Sequence, residues 1–310
     1  MQKKRIVISG INGFVGHHLA RELVANNVSV IGIGTDSSIS SSIEDIVEEY
    51  YSQDLIAGWP PIDNIDGIIH LAGLASVGPS FNDPQRYIGA NSAMMTHLCE
   101  YYLPKANRPR ILAVSSSTVY SPDQPMPIAE ETARLGFNSP YAVSKMVIEN
   151  QASYYRNRGL DCIIARPFNH TGPEQGSGFI LPDLFEKLTK LNPDTTLLKV
   201  GNIHTKRDYT DVRDIVNAYR KLILAPTLEH TVYNICSGIS LSGEDLLNTL
   251  KGIIDKDDVQ FEIDQSLVRP TDPAEFFGDP SRLQNELGWK LRYSIETTIK
   301  DFITTANTQG

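Results

Sequence analysis

The chain has 310 residues, with 28 Lys and Arg against 37 Asp and Glu and a formal net charge of -9. An acidic, mixed-sign composition excludes nucleic acid as the expected partner, because phosphate binding selects a basic face. No run of about 18 apolar residues occurs, and Met1 to Arg5 lead straight into a β-type run. Neither a membrane span nor a signal peptide is expected, and the protein is read as soluble and cytoplasmic.

Cys99, Cys162 and Cys236 are odd in number and widely spaced, which fits reduced packing residues and no disulfide framework. The histidines (His17, His18, His70, His97, His170, His204 and His230) show no metal-ligand spacing, so no metal is expected. No Ser/Gly/Pro linker, repeat or low-complexity block divides the chain, and one two-lobed unit is predicted.

In chain order, Arg5 to Ser9 is a short apolar strand, followed at once by Gly10-Ile-Asn12-Gly13-Phe14-Val15-Gly16 and a helical pattern from His17 to Ala25. Strand, glycine turn and helix make a grip for a dinucleotide. Glycines let the backbone turn tightly and approach a pyrophosphate, and the first helical amides favour negative charge there. The spacing is GxxGxxG where the standard fingerprint is GxGxxG. Further strands are predicted at Val28 to Ile33, Gly67 to Leu71, Arg110 to Ser115, Asp161 to Ala165 and Thr231 to Cys236, with helices between them. Such alternation predicts a doubly wound parallel sheet with helices on both faces. After Arg166 the pattern loosens, with a helix near Leu181 to Leu191 and later helices opened by Ser242, with Asp245 three residues on, and by Asp279-Pro280. Loops beyond Leu71, Ser115 and Arg166 should converge on one cleft at the carboxyl ends of the strands.

Tyr141-Ala-Val-Ser-Lys145 places a phenol and an ammonium on one helix face, since a turn holds about 3.6 residues. A phenol titrates near ~10, and a neighbouring cation is expected to bring Tyr141 down towards the range useful for general acid/base work.

Taken together, these segments resemble the short-chain dehydrogenase/reductase superfamily, in its extended branch acting on nucleotide sugars. The resemblance spans nearly the whole chain and rests also on Asp54-Leu55, His70-Leu71-Ala72-Gly73, Asn91 and Ser115-Ser-Ser-Thr-Val-Tyr120. It implies a Rossmann-type lobe over residues 1–166 and about 208–237, and a smaller, discontinuous substrate-binding lobe over about 167–207 and 238–310. It further implies Ser116, Tyr141 and Lys145 as catalytic residues, with Ser116 orienting a sugar oxygen, Tyr141 moving a proton, and Lys145 holding the cofactor ribose. Cofactor contacts are implied at Gly10, Asn12, Gly13, Phe14, Val15, Gly16, Asp36, Asp54, Leu55, Leu71, Ala72, Gly73, Asn91, Tyr141, Lys145 and Pro167. A homodimer through helices that include Tyr141 to Arg158, with tetramers also compatible, is implied as well.

Dehydratases of this branch carry one or two carboxylates directly after the catalytic hydroxyl residue, whereas this chain has Ser117 and Thr118, which cannot serve as carboxylate acid or base. Reduction of a 4-keto group and 4-epimerisation both remain open on the catalytic residues alone. A non-catalytic dinucleotide sensor on the same fold would have no need of Ser116, Tyr141 and Lys145. Arg166 to Gln175, Val200 to Asp214, Tyr233 to Gly238 and Arg269 to Asp272 resemble the reductases of GDP-4-keto-6-deoxy-D-mannose within that branch. By that resemblance Ser116, Ser117, Asn169, Arg207 and Arg269 meet the nucleotide sugar, the guanidinium groups offering forked donors to phosphate.

Three departures stand out. Gly-Pro-Glu174-Gln175 replaces the usual Gly-Pro-Gly-Gln, leaving Glu174 either near the sugar or at the surface. Ser121 stands where the branch has Gly. At the end of the second strand Gly34 takes the place of the usual ribose-binding Asp, with Asp36 two residues on and no Lys or Arg between Glu22 and Gln85. Asp36 would repel a 2'-phosphate, so NAD(H) is expected over NADP(H). His170 is placed either to touch substrate or to pack its loop.

Overall fold

The computed structural model describes residues 3–192, 196–267 and 273–309. The strands are β1 (Arg5–Ser9), β2 (Ser29–Gly34), β3 (Glu49–Ser52), β4 (Gly67–His70), β5 (Arg110–Val114), β6 (Cys162–Pro167), β7 (Asn169–Thr171), β8 (Leu197–Val200), β9 (Lys206–Asp211), β10 (Val232–Ile235), β11 (Ser240–Ser242), β12 (Gln260–Ile263) and β13 (Glu275–Phe276). The helices are α1 (Phe14–Ala25), α2 (Val77–Ser80), α3 (Pro84–Tyr102), α4 (Pro140–Asn157), α5 (Ile180–Thr189), α6 (Val212–Leu224), α7 (Gly243–Ile253), α8 (Ser281–Leu287) and α9 (Ile295–Gln309).

Seven strands form one parallel sheet in the order β10-β6-β5-β4-β1-β2-β3. The order reverses between β1 and β4, which opens the ligand crevice of a doubly wound sheet. Strands this hydrophobic are stable only if covered on both sides. One face packs Ile6, Ile8, Val30, Ile69 and Leu112 against α1 and α6, and the other packs Val7, Ile31, Ile68 and Ile111 against α3 and α4. Val30 and its neighbours place the second strand at Ser29–Gly34, one residue beyond the sequence reading.

After β6 the chain leaves the sheet through β7 and builds a second cluster from α5, α7, α9 and the β8–β9 region, centred on Leu181, Leu188, Leu246, Leu250 and Ile299. It re-enters the first unit with α6 and β10. The C-terminal segment also returns once, because Leu283 and Trp289 pack into the α1/α6 face and the Trp289 indole donates to the Asp214 carbonyl at 3.1 Å. The sequence reading had put those residues with the substrate lobe. A small sheet β11-β9-β13, with β7 also on β9, and a β12-β8 pair complete the roof. At two to four residues apiece, five of these six (β7, β8, β11, β12 and β13) are too short for a period-2 signal, and the six-residue β9 is too polar, with Lys, Arg and two Asp.

Local signals set the helix starts. Ser139 accepts from the Ala142 amide at 3.0 Å with Pro140 in the first turn of α4, and Ser242 with Asp245 closes a capping box on α7. Ser121 takes an ordinary backbone conformation, so that departure imposes no left-handed residue.

Candidate active site

A cavity of about 1130 Å³ lies over the carboxyl ends of β1, β4, β5 and β6 and runs beneath α5, β8 and β9. Its dinucleotide side is built by the glycine turn. Gly10 sits at φ 75, a left-handed conformation, and a Cβ there would lie 3.0 Å from the Ala72 nitrogen. At Gly16 a Cβ would fall 2.3 Å from the Ile11 carbonyl oxygen, so only glycine lets α1 start this close to β1. Unlike α3, α4, α6 and α7, α1 has no side-chain cap; its first turn also carries no acid. The amides at the start of this helix therefore face the cavity without a side-chain partner, a seat for phosphate oxygens.

Asn12 joins this turn to the end of β2: its Nδ2 donates to Asp36 Oδ2 at 2.7 Å, and its Oδ1 accepts from the Ser40 amide at 3.0 Å. Gly34, Thr35 and Asp36 line that end of the cavity. The Lys and Arg side chains among the described lining residues are Lys145, Lys187 and Arg207, none of them from the segment around β2.

At the centre stand Ser116, Tyr141 and Lys145, all buried. The Ser116 Oγ accepts from the Thr118 amide at 3.2 Å and from Thr118 Oγ1 at 3.0 Å, which commits its lone pairs and leaves its proton to be donated. Lys145 Nζ lies 5.8 Å from the Tyr141 ring centroid and donates to the Val114 carbonyl at 2.9 Å. Burial pushes the Tyr141 phenol up to about 12, against the pull of a hydrogen bond with Ser116. The depression expected from Lys145 does not appear: desolvation of the phenolate dominates and the opposing pull comes from Ser116, while Lys145 is itself brought down to about 8 by burial and partly restored by Glu149.

Behind these residues lies a network that the sequence reading missed. Ser115 Oγ donates to Glu149 Oε1 at 2.5 Å, the Arg166 guanidinium takes both Glu149 oxygens, and Arg166 Nη1 donates to Tyr120 Oη at 2.9 Å. Glu149 falls four residues after Lys145, so helical spacing was the available signal. His70 is also buried, its Nδ1 2.8 Å from Ser9 Oγ and its Nε2 without a partner, and burial then Lys145 push it down to about 3.

Of the residues assigned from the sequence, Gly10, Asn12, Gly13, Phe14, Val15, Gly16, Asp36, Leu71, Ala72, Gly73, Ser116, Ser117, Tyr141, Lys145, Pro167, Asn169 and Arg207 line the one cavity. Asp54, Leu55 and Asn91 are not among its lining. Asp54 Oδ1 accepts from the Ile56 amide, Leu55 is packed in the core, and Asn91 holds Leu74 and Ser144 from beneath. Arg269 lies outside the described residues. Arg207 Nη1 donates to the Pro273 carbonyl at 2.9 Å. His170 both lines the cavity and packs the loop, its Nδ1 on the Phe168 carbonyl at 3.0 Å. Glu174 faces away from the cavity, towards α1. Among the described residues no cluster of His, Cys, Asp or Glu has the arrangement of a metal site, and no helix is long and apolar enough to cross a membrane.

Fold and cleft together define an extended short-chain dehydrogenase/reductase of the epimerase/dehydratase branch. The family model for GDP-mannose 4,6-dehydratase matches residues 7–302, and the chain belongs to that family. It is 30% identical to the GDP-6-deoxy-D-mannose reductase of Pseudomonas aeruginosa, over 96% of this chain and 95% of that protein. It is 26% identical to the UDP-glucose 4-epimerase of Pisum sativum, over 96% and 94%. The solved structure of RMD from Pseudomonas aeruginosa complexed with NADPH superposes with a TM-score of 0.80 at 27% identity, covering 99% of this chain and 100% of that one.

Proposed function

We propose that this protein reduces the 4-keto group of a nucleoside-diphosphate 4-keto-6-deoxy hexose, with GDP-4-keto-6-deoxy-D-mannose as substrate, GDP-6-deoxy-D-mannose (GDP-rhamnose) as product and NADH as reductant. The observation that carries this reading is the grouping of Ser116, Tyr141 and Lys145 with hydroxyls at the end of β5 and, among the described lining residues, no carboxylate beside them. The acids lining the cavity are Asp36, at the β2 end, and Asp183, held by the Gly178 amide at 2.7 Å, so neither stands beside Ser116 to remove water from a sugar.

A reduced nicotinamide dinucleotide held by the Gly10–Gly16 turn and Lys145 would supply the hydride for C4. The chain supplies the rest. Ser116, with both lone pairs taken by Thr118, donates its proton to the C4 carbonyl oxygen and polarises it. Tyr141, neutral at working pH, gives its proton to that oxygen as the hydride arrives, and the product leaves as a 4-hydroxy sugar with the cofactor oxidised. Lys145 supports the developing phenolate charge. Asn169 and Arg207 meet the diphosphate, where a guanidinium offers planar paired donors.

The likeness to a reductase along the whole chain supports reduction, and the likeness to UDP-glucose 4-epimerases supports 4-epimerisation as the second reading. The experiment is a panel of 4-keto-6-deoxy sugars on GDP, UDP, CDP and dTDP, each with NADH or NADPH, followed by product stereochemistry at C4. Turnover of the GDP sugar above the others is expected; turnover of none of them counts against the assignment.

A further inference from the structure

Glu174 holds a left-handed backbone conformation, φ 67, that favours glycine. A non-glycine residue keeps such a conformation only where its surroundings hold it. What holds Glu174 is α1. Its Oε2 lies 3.6 Å from His17 Nδ1 and its Oε1 accepts from Arg21 Nη1 at 2.6 Å; His17 first and then Arg21 pull the carboxyl down to about 2 and keep it charged. Two more contacts join the same segment to the same helix. His18 Nε2 lies 2.9 Å from the Pro173 carbonyl oxygen, and the His170 ring stacks on Phe14 with centroids 6.3 Å apart.

One helix thus faces two ways. Phe14, Val15 and Gly16 line the dinucleotide side of the cavity, while His17, His18 and Arg21 grip Pro173 and Glu174. That segment runs between Asn169 and Gln175, both of which line the sugar side, and Gln175 is buried with its amide fixed by Thr171 and the His170 carbonyl. A glycine at 174 would remove the ion pair and leave the loop tied to α1 only through the His18–Pro173 and Phe14–His170 contacts. An ion-paired glutamate makes the two move as one body.

We propose that the Glu174–Arg21 pair couples the two halves of the cleft, so that a dinucleotide seated on α1 raises the affinity of the loop side for a nucleoside diphosphate. This inference rests on the proposed function. Coupling between two sites is reciprocal and commonly amounts to 5- to 150-fold. A single partly exposed pair belongs near the lower end of that range.

The test is calorimetric titration of GDP, with UDP as a parallel arm, into wild-type protein alone and saturated with NADH, and the converse titration of NADH. We expect about fivefold tighter nucleotide binding with NADH present, and the same factor in the converse experiment. In Glu174→Gln, Glu174→Gly and Arg21→Gln each ligand should still bind alone, while the coupling factor falls towards one. The double variant Glu174→Gln/Arg21→Gln should lose no more than either single variant. Relief of the left-handed strain in Glu174→Gly offsets part of the lost ion pair, so this variant should melt within a few degrees of wild type, and a retained cooperative transition separates lost coupling from lost folding. A wild-type factor of one, or a Glu174→Gly protein that keeps the wild-type factor, overturns the proposal. Normal NADH binding with no binding of either nucleotide overturns the nucleotide-sugar reading itself, and this inference with it.

Discussion

Glu149 and Arg166 meet in a forked ion pair, 2.9 Å at Oε1 and 2.5 Å at Oε2, one helical turn beyond Lys145 and directly behind Ser115. The pair ties together three segments that carry the chemistry: Ser116 through Ser115, Lys145 along α4, and Pro167 next to Arg166. Removing one partner of a buried pair leaves the other charge uncompensated, at a cost of about 3–5 kcal/mol. Glu149→Ala should therefore melt well below wild type, and Glu149→Leu combined with Arg166→Met should regain much of the loss. Thermal denaturation of the three proteins checks this, and a single variant as stable as wild type would contradict it.

Tyr141→Phe preserves the ring and removes the proton. Turnover should fall by about 10²- to 10⁴-fold while the dissociation constant for cofactor changes little. Stopped-flow rates and NADH fluorescence titration measure the two quantities separately. Near-normal turnover would remove Tyr141 from the mechanism.

The pH profile should carry an alkaline limb set by Lys145. Burial lowers its folded value from 10.5 to about 8, so the ammonium is present below that pH and lost above it. Tyr141, raised to about 12, stays protonated across the same range and adds no limb. We expect kcat/KM for the keto sugar to decline above about pH 8, and a profile flat to pH 9.5 would contradict the role given to Lys145.

Cofactor preference should follow Asp36. Its carboxylate lines the β2 end of the cavity and Lys and Arg are absent from the segment around it, so a 2'-phosphate would meet like charge. We expect NADH to exceed NADPH in kcat/KM by about tenfold or more, and Asp36→Ala to narrow the gap. A preference for NADPH, the cofactor in the RMD structure, would show that another group receives the phosphate.

Much of this was readable from the chain because its signals are local. The glycine turn, the five apolar strands at β1, β4, β5, β6 and β10, and the Tyr141–Lys145 spacing each depend on residues a few positions apart. What escaped depends on distant partners. Glu174 could not be assigned to α1 because Arg21 is 153 residues away. Glu149 reads as one more helical acid until Arg166 is folded against it. The direction of the Tyr141 shift differs from the expectation for a related reason, since spacing shows the neighbouring cation and only the fold shows the burial that raises the phenol.

The measurement that bears most directly on the central claim is the stoichiometry of cofactor oxidation. A reductase releases oxidised cofactor and takes up a fresh reduced one in every cycle, whereas an epimerase keeps its dinucleotide through both half-reactions. With GDP-4-keto-6-deoxy-D-mannose and excess NADH, absorbance at the nicotinamide band should fall by one equivalent per 4-hydroxy product formed. GDP-mannose in the same assay should not be dehydrated, since Ser117 and Thr118 follow Ser116. Interconversion of two 4-hydroxy nucleotide sugars by protein carrying tightly held NAD, with no net change in absorbance, would contradict the account.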